Sequence, residues 1–323
     1  MNFTEKYQSL IVLTSVFIGV TLGQISFFQL YAEHLIIPFL MIMLTGVFIQ
    51  IPLSDIKNSF TKIHFTVASL CINFIWTPLF AWALGYVFLR ETPPLWIGFM
   101  MLMVTPCTDW YLVFTGISKG NVALGTSILP LNFILQLTLL PLYLLILGGS
   151  VITIDPISLL YGVFLVLIIP IISSNLLRRL ALRFKNDAWL KEKILSKIGL
   201  NQMIFLNLAI IAMFASQSTI LLDHPKIMLI LLVPVLIFFA ANFVIGQLVS
   251  RYLKFKYEDA AAFNLTTLAR NSPIALAIAV ASFPDQPMIA LALIIGPLIE
   301  LPVLTAVSQV LLRMRGRYIR AYS

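Results

Sequence analysis

Long apolar runs decide what this 323-residue chain can become. Ten are separable, at about 8–27, 35–53, 64–89, 95–118, 121–148, 157–177, 199–217, 227–250, 259–283 and 288–312. Most exceed the ~20 residues needed to cross hydrocarbon, and the seventh is the shortest. Charged residues make up 11% of the chain and apolar residues 60%, whereas a soluble domain carries about 25% charge. So few charges cannot cover a globular surface, and the apolar surface must face lipid. The expectation is an all-α polytopic membrane protein with ten transmembrane helices.

Charge placement tests that count. With ten spans both termini share one side, taken as the cytoplasm, and eighteen of the 21 Lys+Arg fall there. The opposite side holds Arg90 and Lys226, and Arg270 falls inside a span. A miscounted span would flip every later loop, so the positive-inside rule supports ten spans in a cell (inner) membrane with both ends cytoplasmic. Topology also accounts for the net charge of +8, which could otherwise suggest nucleic acid as a partner. The densest basic stretch, 178–198, reads as a solvated cytoplasmic linker, with the anionic inner leaflet as the alternative contact.

Cys71 and Cys107 sit inside apolar runs, which points to neither a disulfide nor zinc. His34, His64 and His224 lie near span ends without metal-ligand spacing. No metal or cofactor is expected. The opening MNFTEKYQSLIVL has no basic n-region or nearby cleavage site, so the first span reads as retained.

An even split gives spans 1–5 and 6–10. Five is odd, so the halves would be inverted relative to each other, the repeat design of secondary transporters. In chain order this sets 1–177 as the first repeat plus the start of the second half (span 6 begins near 157), 178–198 as the linker, and 199–323 as the remainder. Spans 4 and 9 each carry a polar break near mid-depth: Thr105, Pro106, Cys107, Thr108 and Asp109 in one, Thr266, Thr267, Arg270, Asn271, Ser272 and Pro273 in the other. Proline removes a helix hydrogen bond and frees the carbonyl four residues earlier. Paired breaks point to a solute site at the midplane; functionless kinks are the bland alternative.

Asp109, Glu300 and Arg270 are the charges at depth. An Asp or Arg at a helix centre costs about 2.5–3.5 kcal/mol on insertion scales, so such groups need partners or water. Asp109 and Arg270 lie in the two broken spans and can pair if those spans cross, either as a structural ion pair or in competition with substrate or proton. Glu300, between Pro297 and Pro302, is placed to ligate a cation, carry a proton or cap a helix. Asn132 and Gln136 share one face of span 5 at i and i+4, as ligands or as interhelical glue. Cys107 adjoins a proline break; a lone thiol in a span is usually packing, but a thiophilic oxyanion such as arsenite would want one.

TPCTDWYLVFTGISKG, residues 105–120, resembles the fourth-span signature of the arsenite-efflux permeases of the bile acid/sodium symporter superfamily. Asn132 coincides with the fifth-span asparagine of that branch. GPLIELPVL, residues 296–304, resembles its tenth-span Gly-Pro-Leu-x-Glu-x-Pro-Val motif. The resemblance runs through the chain in span order, with its strong motifs in three spans. It implies ten helices in a panel and a core domain, broken spans 4 and 9 crossing in the core, and export of arsenite or antimonite. Cys107 and Glu300 are the residues it carries over.

The departures lie in span 9. The permeases have an asparagine pair and then a glutamate; here the pair is reduced to Asn271 and the glutamate position is Ala275. The sodium symporters carry glutamate and glutamine where this chain has Thr266 and Arg270. A fixed guanidinium beside a sodium site repels the ion, so Arg270 replaces at least one coupling cation with a tethered one, and strict two-sodium symport is not expected.

Two functions remain. One is a secondary transporter exporting arsenite, antimonite or a related small oxyanion, coupled to protons or membrane potential. The other is a cation-coupled uptake symporter for an organic anion. In either case Cys107, Thr108, Asn132, Asn271 and Ser272 are the candidate substrate ligands, and Asp109, Glu300 and Arg270 the candidate coupling groups. The partners are a small solute or ion and the lipid bilayer. An enzyme is not expected: there is no nucleotide loop and no Ser/His/Asp constellation, and the linkers are too short for a catalytic domain.

Overall fold

A computed structural model describes residues 8–50, 62–108, 110–184, 189, 196–218 and 226–322. Fourteen α-helices are named here: α1 (Gln8–Leu22), α2 (Ser26–Tyr31), α3 (Glu33–Gln50), α4 (Ile63–Cys71), α5 (Thr77–Phe88), α6 (Pro93–Met103), α7 (Trp110–Ile117), α8 (Val122–Ile146), α9 (Pro156–Phe184), α10 (Ser196–Ser216), α11 (Lys226–Tyr252), α12 (Tyr257–Leu268), α13 (Ser272–Ser282) and α14 (Pro287–Tyr322). A π-helical turn, Ile72–Trp76, joins α4 to α5 without a break. Among the described residues there is no strand, only an isolated bridge between Pro106 and Arg270.

Among the described residues six helical stretches are long and apolar enough to cross a membrane: Ile63–Phe88, Val122–Ser150, Pro156–Ala181, Lys197–Ser216, Leu229–Tyr252 and Pro287–Arg315. They fall at expected spans 3, 5, 6, 7, 8 and 10. Shorter apolar helices occupy the expected positions of spans 1, 2, 4 and 9. The chain is a multi-pass membrane protein. Large apolar side chains such as Phe17, Phe27, Phe164 and Leu248 are exposed, a surface that hydrocarbon solvates and water does not. Several ends differ from the sequence reading. α1 stops at Leu22 instead of running to 27, and α9 continues past 177 to Phe184, carrying Arg178, Arg179 and Arg183 on helix.

The chain forms two compact units, each discontinuous. The first comprises Met1–Ile51, Asp155–Ile227 and Pro273–Ala290; the second comprises Pro52–Ile154, Met228–Ser272 and Leu291–Ser323. In the first unit α10 packs against α1 and α3, and α9 packs against α3. Small residues make the α1–α10 seam: Ser15 donates to Asn207 at 2.8 Å, and the Ser218 hydroxyl donates to the Gly23 carbonyl at 3.1 Å. Without a hydrophobic force between helices in lipid, close backbone approach and such bonds drive association. Asp155 caps α9, accepting from the Ser158 hydroxyl at 2.6 Å and from the Ser158 N–H at 2.9 Å; these bonds hold its carboxyl below the usual range.

In the second unit α12 packs against α4, α7 and α8, and α5 packs against α6. Gly85 lets the Trp96 indole lie where a Cβ would stand. The α7–α8 hairpin is tied to the start of α12. Tyr257 donates to the Ser118 carbonyl at 2.6 Å, the Asn121 N–H donates to the Glu258 carbonyl at 2.8 Å, and the Asn121 amide donates to Asp259 at 2.8 Å. Lys62 pairs with the other Asp259 oxygen. These ties join the end of expected span 4 to the start of expected span 9.

The seam generates a test. A Cβ on Gly19 would lie 2.6 Å from the Phe214 Cβ and 2.8 Å from the Ile211 carbonyl oxygen. Gly19→Ala should destabilise the protein by about 1–3 kcal/mol through overpacking, read as a lowered Tm in detergent. An unchanged Tm would contradict this packing.

Candidate functional site

In the stretch expected as span 4, α6 ends at Met103 and α7 begins at Trp110; in that expected as span 9, α12 ends at Leu268 and α13 begins at Ser272. The two breaks meet. The Cys107 N–H donates to the Ala269 carbonyl at 2.9 Å, and the Asn271 N–H donates to the Thr105 carbonyl at 2.6 Å, pairing the segments antiparallel around Pro106 and Arg270.

The prolines explain why carbonyls are available here. Pro273 has no N–H for Ala269, whose carbonyl takes Cys107 instead. Pro106 has none for Leu102, whose carbonyl is 3.1 Å from the Thr105 hydroxyl. Pro297 has none for Leu293, whose carbonyl accepts from the Ser272 hydroxyl. Pro78, one residue into α5, has none for Phe74, whose carbonyl accepts from Tyr143 at 2.6 Å. The π turn at Ile72–Trp76 ends two residues before that proline, and such turns recur at functional sites.

Arg270 sits at the centre, 2% exposed. Its Nε donates to the Leu268 carbonyl at 3.0 Å and its Nη1 to the Met103 carbonyl at 2.8 Å. Its Nη2 donates to Asn73 Oδ1 at 3.2 Å and also to the Thr267 carbonyl. Leu268 and Met103 are the last residues of α12 and α6. Last-turn carbonyls have no intrahelical partner and form the negative end of the helix dipole. Two half-helices thus point their negative ends at one buried cation, with the Phe238 ring 5.2 Å from the guanidinium carbon. Asn73 completes the ring of oxygens and donates to the Thr266 carbonyl at 3.4 Å. The Arg270 main-chain N–H donates to Glu300 Oε1 at 2.7 Å, which brings the buried carboxylate of α14 to the same break.

The other expected residues fall as follows. Cys107 is buried, 3% exposed, and neither cysteine is in a disulfide. The Asn271 amide donates to the Thr108 hydroxyl at 3.1 Å, linking the two breaks a third time. Asn132 is fully buried on α8. Asp109 lies outside the described residues, and so does the expected Asp109–Arg270 pair. Among the described residues no group of three His, Cys, Asp or Glu side chains is placed to hold a metal.

Asn73 was missed by the sequence reading. Its signal was there: Ser69, Asn73 and Thr77 recur every four residues inside an apolar span, and all three are fully buried. The main-chain acceptors of Met103, Thr267 and Leu268 had no sequence signal beyond the helix ends themselves.

Comparison with known proteins follows the same outline. The model of the Sodium Bile acid symporter family matches residues 37–224. An arsenical-resistance protein, Acr3, of Corynebacterium glutamicum is 24% identical over 94% of this chain and 87% of its own length. The Acr3 of Alkaliphilus metalliredigens is 22% identical over 98% and 94%. An uncharacterized transporter of Synechocystis is 25% identical over 94% and 87%.

Removing the guanidinium strips four oxygens of their donor. Arg270→Ala should cost about 3–5 kcal/mol, as breaking a buried charge network does. Arg270→Lys should cost less, because an ammonium keeps the charge but not the planar fork. Thermal unfolding in detergent should rank wild type above Arg270→Lys above Arg270→Ala; equal stabilities would refute the cage.

Proposed function

The chain belongs to the Sodium Bile acid symporter family and is a membrane transporter, and from this premise we propose that it exports arsenite, antimonite or a related small oxyanion, driven by protons or membrane potential. The observation that carries this reading is the Arg270 guanidinium enclosed by the carbonyl ends of α6 and α12. Carbonyl oxygens at exposed helix ends are what such transporters use to coordinate a coupling cation. Here a side chain already supplies the positive charge, which argues against a mobile sodium ion at this place.

The architecture we propose is ten spans in a 5+5 inverted repeat with both termini cytoplasmic, the broken spans 4 and 9 crossing at mid-depth. Cys107 supplies a soft sulfur ligand at the crossing, suited to trivalent arsenic or antimony. Thr108 and Asn271, bonded to each other across the breaks, and Asn132 supply polar contacts. The Ser272 hydroxyl holds the Leu293 carbonyl and so positions α14. Glu300 carries the proton: its carboxylate is held by the Arg270 N–H when ionised and lets go when protonated. Asp109 is the second coupling group in this scheme. The two arsenical-resistance relatives, matched along nearly their whole lengths, support the substrate class.

A second reading, cation-coupled uptake of an organic anion, is favoured by the family model itself. Arg270 weighs against it, because that coupling needs an open cation site.

Expression in an arsenite-sensitive host separates the two. Wild type should restore growth on arsenite, and Cys107→Ser should abolish protection at equal protein abundance. Full protection by Cys107→Ser, or none by wild type, would defeat the metalloid reading.

A further inference from the structure

Asn132 and Gln136 are one turn apart on α8, and both are fully buried. None of their four amide nitrogen and oxygen atoms has a hydrogen-bond partner among the described residues. Native interiors rarely leave even one such atom unmet, and a primary amide transferred to an apolar surrounding without partners is strongly disfavoured. Interhelical glue, the structural role open to such residues, is excluded by the same fact, since neither side chain bonds another helix. α8 packs against α6, α7, α12 and the π turn, that is, against pieces of both broken spans. On α12 the Thr266 hydroxyl is also buried and unmet.

We propose that Asn132 and Gln136 form a solute subsite that takes an uncharged, multiply hydroxylated small molecule, so that the exported species is the fully protonated acid rather than its anion. This deepens the efflux reading and rests on it for the identity of the natural solute. The chemistry of the donors decides the charge. Among the described residues Arg270 is the only buried Lys or Arg, and four of its five N–H groups are already bonded to oxygens. An anion would therefore enter a buried polar site whose guanidinium is already surrounded by oxygens. A primary amide offers two N–H donors and one acceptor oxygen. Two amides side by side suit hydroxyl groups, each of which donates and accepts. Arsenous acid carries three hydroxyls, and Cys107 meets the arsenic itself.

The test measures binding to the purified full-length chain in detergent by calorimetry at neutral pH. The probes are boric acid, an uncharged triol without thiol chemistry; arsenous acid; and arsenate as a charged control. Wild type should bind both uncharged acids and not arsenate. Asn132→Leu and Gln136→Leu should each weaken boric acid binding about tenfold or more, as loss of one net hydrogen bond does. Both variants should keep or raise Tm without solute, because an unmet buried amide has been replaced by an apolar group. That rise separates solute recognition from a structural role. Boric acid affinity unchanged in both variants, or arsenate bound as tightly as arsenous acid, would overturn the subsite; the second outcome needs no variant to fold. Boric acid binding by a wild type that gives cells no arsenite protection would defeat the efflux reading and leave the subsite standing.

Discussion

Two main-chain hydrogen bonds, from Cys107 to Ala269 and from Asn271 to Thr105, are the contact on which the rest of the second unit depends. In hydrocarbon each unmet backbone group costs several kcal/mol, so a helix can stop at mid-depth only where something else satisfies its ends. Here each break supplies the other. The pairing brings the last carbonyls of α6 and α12 together, and their convergence in turn demands a cation. Arg270 meets that demand from within the chain, and Asn73 and Glu300 are placed around it by the same geometry.

Under the proposed function, a tethered cation changes what the site does in transport. A mobile ion that binds and leaves adds its own gradient to the cycle; a guanidinium on a side chain adds none. Among the described residues the acid at this break is Glu300, which accepts from the Arg270 N–H; in the proposed scheme it is the group that exchanges a proton. Arg suits the place because its planar fork reaches carbonyls in several directions at once, which an ammonium on a flexible stem does not.

Much of this was legible from residue type. The apolar runs located the helices, and the prolines of spans 4 and 9 located the breaks, because a missing N–H is a covalent fact that tertiary packing cannot override. Arg270 announced itself as a charge with no business in lipid. The partner expected for it, Asp109, was chosen because opposite charges are easy to see in a sequence. Asp109 lies outside the described residues; among those described the partners are Asn73 and main-chain carbonyl oxygens, which every residue carries and no sequence distinguishes. Asn73 was hidden for a related reason, since a single amide in an apolar span looks like glue until a π turn aims it. Helix ends were the weakest reading: α9 extends into the basic segment because Leu and Arg are good helix formers, and composition had been read there as a linker.

The central claim is that the cation at the crossing is part of the chain. It is tested most directly by arsenite flux in proteoliposomes of the purified protein, measured with sodium present and absent at fixed proton and electrical gradients. The account predicts the same flux in both. A steep dependence on sodium, of second order in the ion, would contradict it.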